Sequence, residues 1–465
     1  MEQHPQENKM GVMPVGKLLF SMSLPMMLSM MVQALYNVVD SIFVARIGED
    51  ALTALSMAFP LQNLMIAMVS GVGVGINALL SRALGAKQSK TVRSVATNGI
   101  FLVVMVALLF MVLGVVITEP FFRVQTDIAS IAMYGKTYTS IVMIGSFGLF
   151  MQVLFERLLQ STGRTMLSMI SQGTGAILNI ILDPILIFGL AGMPKMGVAG
   201  AALATIIGQW AAAGLSLFLN LKYNPEVSIS MKGFRPNREI IKGILMIGIP
   251  SAIMISIGSV MTFCLNQILI GFTATAVAVF GVYFKLQSFV FMPVFGLNNG
   301  TIPIVAYNYG AKKTDRMKKA IRYAIIADVS IMVVGCIVLN VFPRELLQMF
   351  DATEEMIRLG VPALRILSLA FPVAGFCIGL GTVFQAVGYS LYSMFISLIR
   401  QIFVLLPAAW ILGRLTGRVD AVWWAFLLAE GVSLVFSLYF YQRVRRNVID
   451  RLEQETAAEK TAVRA

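Results

Sequence analysis

An all-α integral membrane protein, with twelve transmembrane helices in two six-helix lobes, is the fold class that the sequence predicts. Three observations predict it. Of 465 residues, 58% are hydrophobic and only 13% charged, whereas a soluble domain is nearer half apolar and a quarter charged. Twelve apolar runs, separated by short polar breaks, are each long enough to approach or exceed the roughly 20 residues that a bilayer crossing needs. Residues of the first half also recur in the second at a constant offset of 225.

The runs fall at about 15–40, 51–78, 94–118, 130–155, 165–190 and 197–221, then at about 240–270, 274–306, 320–342, 358–386, 391–413 and 420–441. The first is too long for the apolar core of a cleavable signal peptide and carries Asp40 at its end, so it is expected to be retained as a span. Several runs exceed the minimum, which permits tilt but fixes no angle. Little chain is left over for a soluble domain.

Basic residues set the orientation. The chain holds 36 Lys and Arg against 23 Asp and Glu, a net charge of +13. With the N-terminus inside, inner segments carry 25 of the 36 and outer loops nine; Lys285 and Arg400 fall within spans. That bias predicts a membrane protein with both termini cytoplasmic. The basic excess is thereby explained without nucleic acid. Arg82, Lys87, Lys90 and Arg93, with the denser run from Lys312 to Arg322, could also touch anionic membrane lipid, but topology is the better reading.

The repeat relates Pro25 to Pro250, Gly71 to Gly296, Gly75 to Gly300, and Gly85-Ala86-Lys87 to Gly310-Ala311-Lys312. It continues without a gap through Gly135/Gly360, Gln160/Gln385, Gly163/Gly388 and Ser168-Met169/Ser393-Met394. A register held this long indicates duplication. Six spans per half is an even number, so the halves enter the membrane in the same direction and are expected to be related by a pseudo-twofold axis along its normal. The expected organisation is a cytoplasmic tail 1–14, an N-terminal lobe 15–221, a linker 222–239, a C-terminal lobe 240–441 and a cytoplasmic tail 442–465.

Composition also removes candidates. The single histidine, His4, lies in the N-terminal tail, which leaves no histidine relay or histidine metal site. Cys264, Cys336 and Cys377 lie apart in apolar stretches, without metal or disulfide spacing. Gly71-Val72-Gly73-Val74-Gly75 lacks the Lys-Ser/Thr of a phosphate loop and reads as a helix-packing or flexing stripe. No catalytic constellation stands out, so a transporter is expected rather than an enzyme, with no cofactor and the chain working as a monomer.

Ionisable groups in hydrocarbon are costly and point to function. Asp40, Asp183, Asp328 and Glu430 are the acids expected inside spans. Gln33, Tyr36, Asn37 and Asp40 follow i, i+3, i+4, i+7 spacing and share one face of the first helix. Asn179 and Asp183 share a face of the fifth, where Pro184 is expected to kink the helix. Two carboxylates with amide and hydroxyl oxygens suit Na⁺, and equally suit a held proton. Asp328 and Glu430 are expected to make structural hydrogen bonds, and Glu156 to join a surface ion network with Arg157 and Arg164. Between Glu239 and Asp315 there is no acid, but Gln267, Lys285, Gln287, Asn298 and Asn299 are polar candidates for a cavity, with Gln62 paired to Gln287 by the repeat. Lys285 is expected to face that cavity. The 30 Met and 30 Phe are compatible with polyspecific binding of lipophilic cations, though packing explains most of them.

The runs Leu24-Pro25, Gln33-Ala-Leu-Tyr36-Asn37-Val-Val-Asp40-Ser41, Asn179-Ile-Ile-Leu-Asp183-Pro184, Gly200-Ala-Ala-Leu-Ala-Thr205 and Pro303-Ile-Val-Ala-Tyr307-Asn308-Tyr309-Gly310-Ala311 resemble the multidrug and toxic compound extrusion (MATE) family, in its bacterial DinF-like/MepA-like branch. The resemblance covers roughly residues 15–445. It implies two six-helix lobes and cation-coupled export, by H⁺ or Na⁺, of lipophilic, mostly cationic drugs and toxins by alternating access. It further implies a coupling-ion site in the N-terminal lobe at Asp40, Asn179, Asp183 and Thr205, the last of which comes from the resemblance alone. Another branch carries coupling carboxylates in the C-terminal lobe; the seventh and eighth spans here have none, which puts coupling through that lobe in doubt. Export or flipping of a lipid-linked saccharide is the alternative function.

Overall fold

The computed structural model describes residues 7–464, and every regular element among them is helical. His4 lies outside the described residues. Ten single helices are long and apolar enough to cross a membrane, and two bent pairs bring the number to twelve. In chain order the spans are α1 (Val15–Ala45), α2 (Glu49–Gly85), α3 (Ser89–Val116), α4 (Ala129–Ile144 with Phe147–Ser161), α5 (Thr165–Phe188) and α6 (Val198–Tyr223). The second set is α7 (Arg238–Ile270), α8 (Ala274–Gly310), α9 (Thr314–Val341), α10 (Glu354–Ser368 with Phe371–Ala386), α11 (Ser390–Thr416) and α12 (Val419–Val444).

The breaks obey the repeat. α4 bends by 46° and α10 by 44°, at Gly145-Ser146 and at Leu369-Ala370, one residue short of the repeat-related position. In α10 the cause is Pro372, whose missing N–H favours the start of a new helix. In α11 the residues before Pro407 wind as a π-helix, Ile399–Leu405, because the proline ring and its missing donor disturb the α ladder one turn back. α5, by contrast, stays one α-helix through Pro184, so the kink expected there is not seen as a break. The C-terminal segment expected as a tail is helical as well, through a second π stretch, Arg445–Asp450, and the helix Arg451–Arg464.

The chain forms two compact units, one comprising Leu28–Ala252 and the other the remainder. Their boundaries differ from the expected lobes, 15–221 and 240–441, because each long leading helix is divided between units: α1 after Met27 and α7 after Ala252, positions again 225 apart. Glycines explain these allegiances. A methyl group on Gly71 would stand 2.4 Å from the Gly248 carbonyl oxygen, and one on Gly75 would stand 2.3 Å from that of Ile244, so α2 and the first half of α7 touch backbone to backbone. Their repeat partners Gly296 and Gly300 meet Met27 and Ser23 in the same way. Without a hydrophobic drive between helices in lipid, such small-residue contact is what holds spans together. Gly73, on the other side of the stripe, accommodates the stem of Arg157.

Each unit has its own core. In Leu28–Ala252 it includes Phe110 and Phe150, whose rings lie 5.6 Å apart, with Ile76, Leu80 and Leu154. In the other, Phe280, Tyr283, Phe371 and Trp423 stack around α8, α10 and α12. That unit also clasps the start of the chain. The Arg316 guanidinium donates to the carbonyls of Met10 (3.1 Å) and Met13 (2.6 Å), Asn308 donates to Met10 (3.1 Å), and Lys313 donates to Gly11 (3.0 Å) and pairs with Glu7. Met10 is completely buried beneath them.

Candidate functional site

The site forms within Leu28–Ala252, from α1, α2, α4, α5 and α6. On α5, Asn179 and Asp183 stand one turn apart and are buried, Asp183 completely. A close backbone approach positions them: α5 and α6 cross at Gly175 and Gly208, where a methyl group on Gly208 would lie 2.7 Å from the Gly175 carbonyl oxygen and 3.3 Å from the Asn179 Cβ. That approach lets the Asn179 amide donate to the Thr205 hydroxyl at 3.4 Å, while this hydroxyl donates to the Ala201 carbonyl at 3.0 Å. Asp40 of α1 is within Coulombic range of Asp183, and both are within that range of the Tyr36 and Tyr138 hydroxyls.

The decisive feature is what these groups lack. Both carboxylate oxygens of Asp183, the Oδ1 of Asp40 and the Oδ1 of Asn179 are buried with no hydrogen-bond partner in the protein. A buried polar atom without a partner costs about 1–3 kcal/mol, more when charged. Four such oxygens on one site fit a cation or proton that would supply the missing contacts.

Further polar contacts join the same helices. Ser29 donates to Gln172, Gln172 donates to Gln33 at 3.3 Å, and Gln62 donates to the Tyr138 hydroxyl at 3.1 Å. The sequence reading missed Gln172 and Tyr138. Gln172 was findable, since Gln172, Asn179 and Asp183 fall on one stripe of α5 at spacings of seven and four. Tyr138 had no helical companion to mark it. Asn37 is exposed, with its carbonyl accepting from Ser41.

The polar candidates of the second half do not gather in this way. Asn298 is buried and donates to both oxygens of Asp328, at 3.1 and 3.3 Å, which matches the structural hydrogen bond expected for that acid. Asn299 and Gln287 are half-buried and Gln267 is exposed. Lys285 is exposed too, with its ammonium 5.8 Å from the ring of Phe350, in the loop after α9. Glu430 accepts a hydrogen bond from Arg400 at 2.8 Å, the structural role expected for it, and the contact is at the same time an ion pair. Glu156 and Arg157 are buried, not at the surface: Glu156 accepts from Gln152 at 3.0 Å and Arg157 donates to Gln160 at 2.8 Å. Gly73 makes room for the Arg157 stem.

Twelve membrane helices in two repeated sets, with a polar site buried inside the first, define a duplicated helical membrane transporter. A family model described as MatE matches residues 25–185 and 250–411, two segments that begin at the repeat-related Pro25 and Pro250. The chain belongs to the MatE family. Multidrug export protein MepA of Staphylococcus aureus (strain MRSA252) is 26% identical over 445 residues, covering 96% of each chain. MepA of Staphylococcus haemolyticus (strain JCSC1435) is 27% identical over 436 residues, covering 93% of this chain and 95% of that one. Among solved structures, the outward-facing conformation of a multidrug resistance MATE family transporter of the MOP superfamily has a TM-score of 0.89 at 25% identity, covering 97% of this chain and 99% of that one. A MOP superfamily transporter from Pyrococcus furiosus, described as having a binding pocket of reverse polarity that suggests a different function, matches with the same TM-score and identity over 96% of this chain and 99% of that one.

Proposed function

We propose that this protein is a multidrug efflux transporter that exports lipophilic, mostly cationic compounds by alternating access, driven by inward movement of H⁺ or Na⁺. The observation that carries the reading is the set of four unpartnered oxygens on Asp40, Asn179 and Asp183. Asp40 and Asp183 repel each other when both are ionised, and a coupling ion between them removes that repulsion. Asn179 and Thr205 add neutral oxygens, which suit a monovalent ion better than a third charge would.

Coupling follows from competition and from the placement of α1. An organic cation drawn to the acidic face of α1 and α5 is attracted by the same two carboxylates that the ion neutralises. Entry of the ion weakens that attraction and favours release of the compound. Asp40 lies on the part of α1 that belongs to one unit, whereas the residues up to Met27 belong to the other. A change in occupancy at Asp40 therefore acts on a helix shared by both, which is the kind of two-state element that alternating access needs.

Dye efflux from whole cells tests this. Cells carrying the protein should hold less of a lipophilic cationic dye than cells without it, and an ionophore that collapses the H⁺ and Na⁺ gradients should abolish the difference. A difference that survives the ionophore would sink ion coupling, and no difference for any cationic dye would favour the lipid-linked saccharide alternative.

A further inference from the structure

The two repeat-related basic loops use their charges differently. In the loop between α8 and α9, Lys313 pairs with Glu7, Lys318 pairs with Glu453, and Arg316 donates to the carbonyls of Met10 and Met13. Those cations are matched within their own unit, by residues near the start and end of the chain. In the loop between α2 and α3, Lys87 and Lys90 are exposed and have no side-chain partner among the described residues. Arg93 makes one long hydrogen bond, 3.5 Å, to the Lys232 carbonyl. No acid lies between Asp50 and Glu119 to balance these charges.

The Arg93 bond brings a second group of unmatched cations alongside. The segment between α6 and α7 is fastened to the first turns of α3: the Asn237 backbone N–H donates to the Asn98 Oδ1 at 2.8 Å, and the rings of Phe101 and Phe234 lie 5.6 Å apart. Lys232 and Arg235, on either side of Phe234 in the chain, are exposed and likewise have no side-chain partner among the described residues. Backbone and aromatic contacts therefore hold this basic platform in place, and no carboxylate neutralises it. An apolar strip continues from it. Arg93, Phe101, Met105, Leu108 and Val112 fall on one side of α3 by helical spacing, and the last three are exposed.

We propose that Arg93, Lys232 and Arg235, with Lys90 one turn from Arg93, form a binding site for the headgroup of an anionic phospholipid whose acyl chains lie along α3. The strip alone is an ordinary lipid-facing surface and selects no headgroup. Selection comes from the platform, where each basic residue beside an anionic lipid contributes roughly fivefold in affinity. A zwitterionic headgroup carries its own ammonium to the same cations and forfeits that gain. The site belongs to the unit Leu28–Ala252 and has no counterpart in the related loop, whose Lys313, Arg316 and Lys318 are already engaged.

Native mass spectrometry of the full-length protein in neutral detergent, titrated with phosphatidylglycerol or with phosphatidylcholine, tests this. Wild type should bind a first phosphatidylglycerol about tenfold or more tightly than phosphatidylcholine. The triple variant Arg93→Gln/Lys232→Gln/Arg235→Gln should weaken phosphatidylglycerol binding by about tenfold or more and leave phosphatidylcholine unchanged. A second triple variant, Lys319→Gln/Arg322→Gln/Arg443→Gln, removes the same charge from the other unit and should keep the tight site. All six side chains are exposed, so neither variant disturbs a core. Unchanged phosphatidylglycerol binding in the first variant would overturn the proposal, and so would equal weakening in both, which would reduce the effect to net charge. Displacement of the lipid by millimolar glycerol 1-phosphate would also overturn it, since the cations would then hold a soluble phosphate.

Discussion

Replacing Asp183 by Asn separates the proposed ion site from the scaffold that holds it. Asp183 is completely buried and neither of its oxygens has a partner, so the substitution breaks no hydrogen bond within the protein. It removes one of two mutually repelling carboxylates, and the folded protein without ion should be at least as stable as wild type. Ion binding should suffer. An ionised oxygen exchanged for an amide oxygen loses a charge-assisted contact of about 1.5–3 kcal/mol, roughly 10- to 150-fold in ion affinity. Thermal unfolding of the purified protein reads both effects, because a ligand that binds only the folded state raises the midpoint as its concentration rises. Wild type should be stabilised by added Na⁺ or by lower pH, whichever ion couples, while Asp183→Asn should start at an equal or higher midpoint and respond far less. A variant that responds to the ion as wild type does would refute the assignment of these oxygens.

Three further outcomes follow from the packing and the loops. Gly75→Val should destabilise the unit Leu28–Ala252 by about 1–3 kcal/mol through overpacking against the Ile244 carbonyl, read as a lower midpoint of thermal unfolding, and Gly300→Val should do the same beside Ser23 in the other unit. Arg316→Gln should release the segment before α1, since both carbonyl contacts of the guanidinium are lost; limited trypsinolysis should then cut after Lys9 faster than in wild type, and an unchanged rate would show that Asn308 and Lys313 suffice. Glu119, in the short helix after α3, has its carboxyl held below the usual range by the hydrogen bond from Lys136 and the charge of Arg123. Its contribution to stability is present above the ordinary carboxylate pKa and is lost as pH falls through the lowered value, so Glu119→Gln should remove a small, salt-sensitive part of the stability near neutral pH and none in strong acid.

Much of the fold was legible in the sequence because a bilayer imposes simple rules. Span number followed from apolar runs, and the duplication followed from one offset that the glycine contacts of α2 and α8 keep and the breaks in α4 and α10 follow to within one residue. The division into units was not legible. Nothing in the hydropathy of 15–40 or 240–270 marks Met27 or Ala252, because unit membership depends on which backbone a half-helix touches. Among site residues, Asp40, Asn179 and Asp183 were readable from spacing, since an acid with amide companions on one helix face is conspicuous in an apolar span. Gln172 lay on the same stripe and was overlooked. Arg400 and Glu430 are 30 residues apart on different helices, and no periodicity within one helix can pair them. The burial of Arg157 was likewise hidden, because its stem packs on Gly73 of another helix.

The central claim is that the oxygens of Asp40 and Asp183 bind the ion that drives export. Transport of a cationic dye in proteoliposomes, under an imposed pH gradient or an imposed Na⁺ gradient, each alone, tests it most directly. The account predicts that wild type responds to at least one gradient and that Asp40→Asn responds to neither. Gradient-driven transport by Asp40→Asn at the wild-type rate would contradict it.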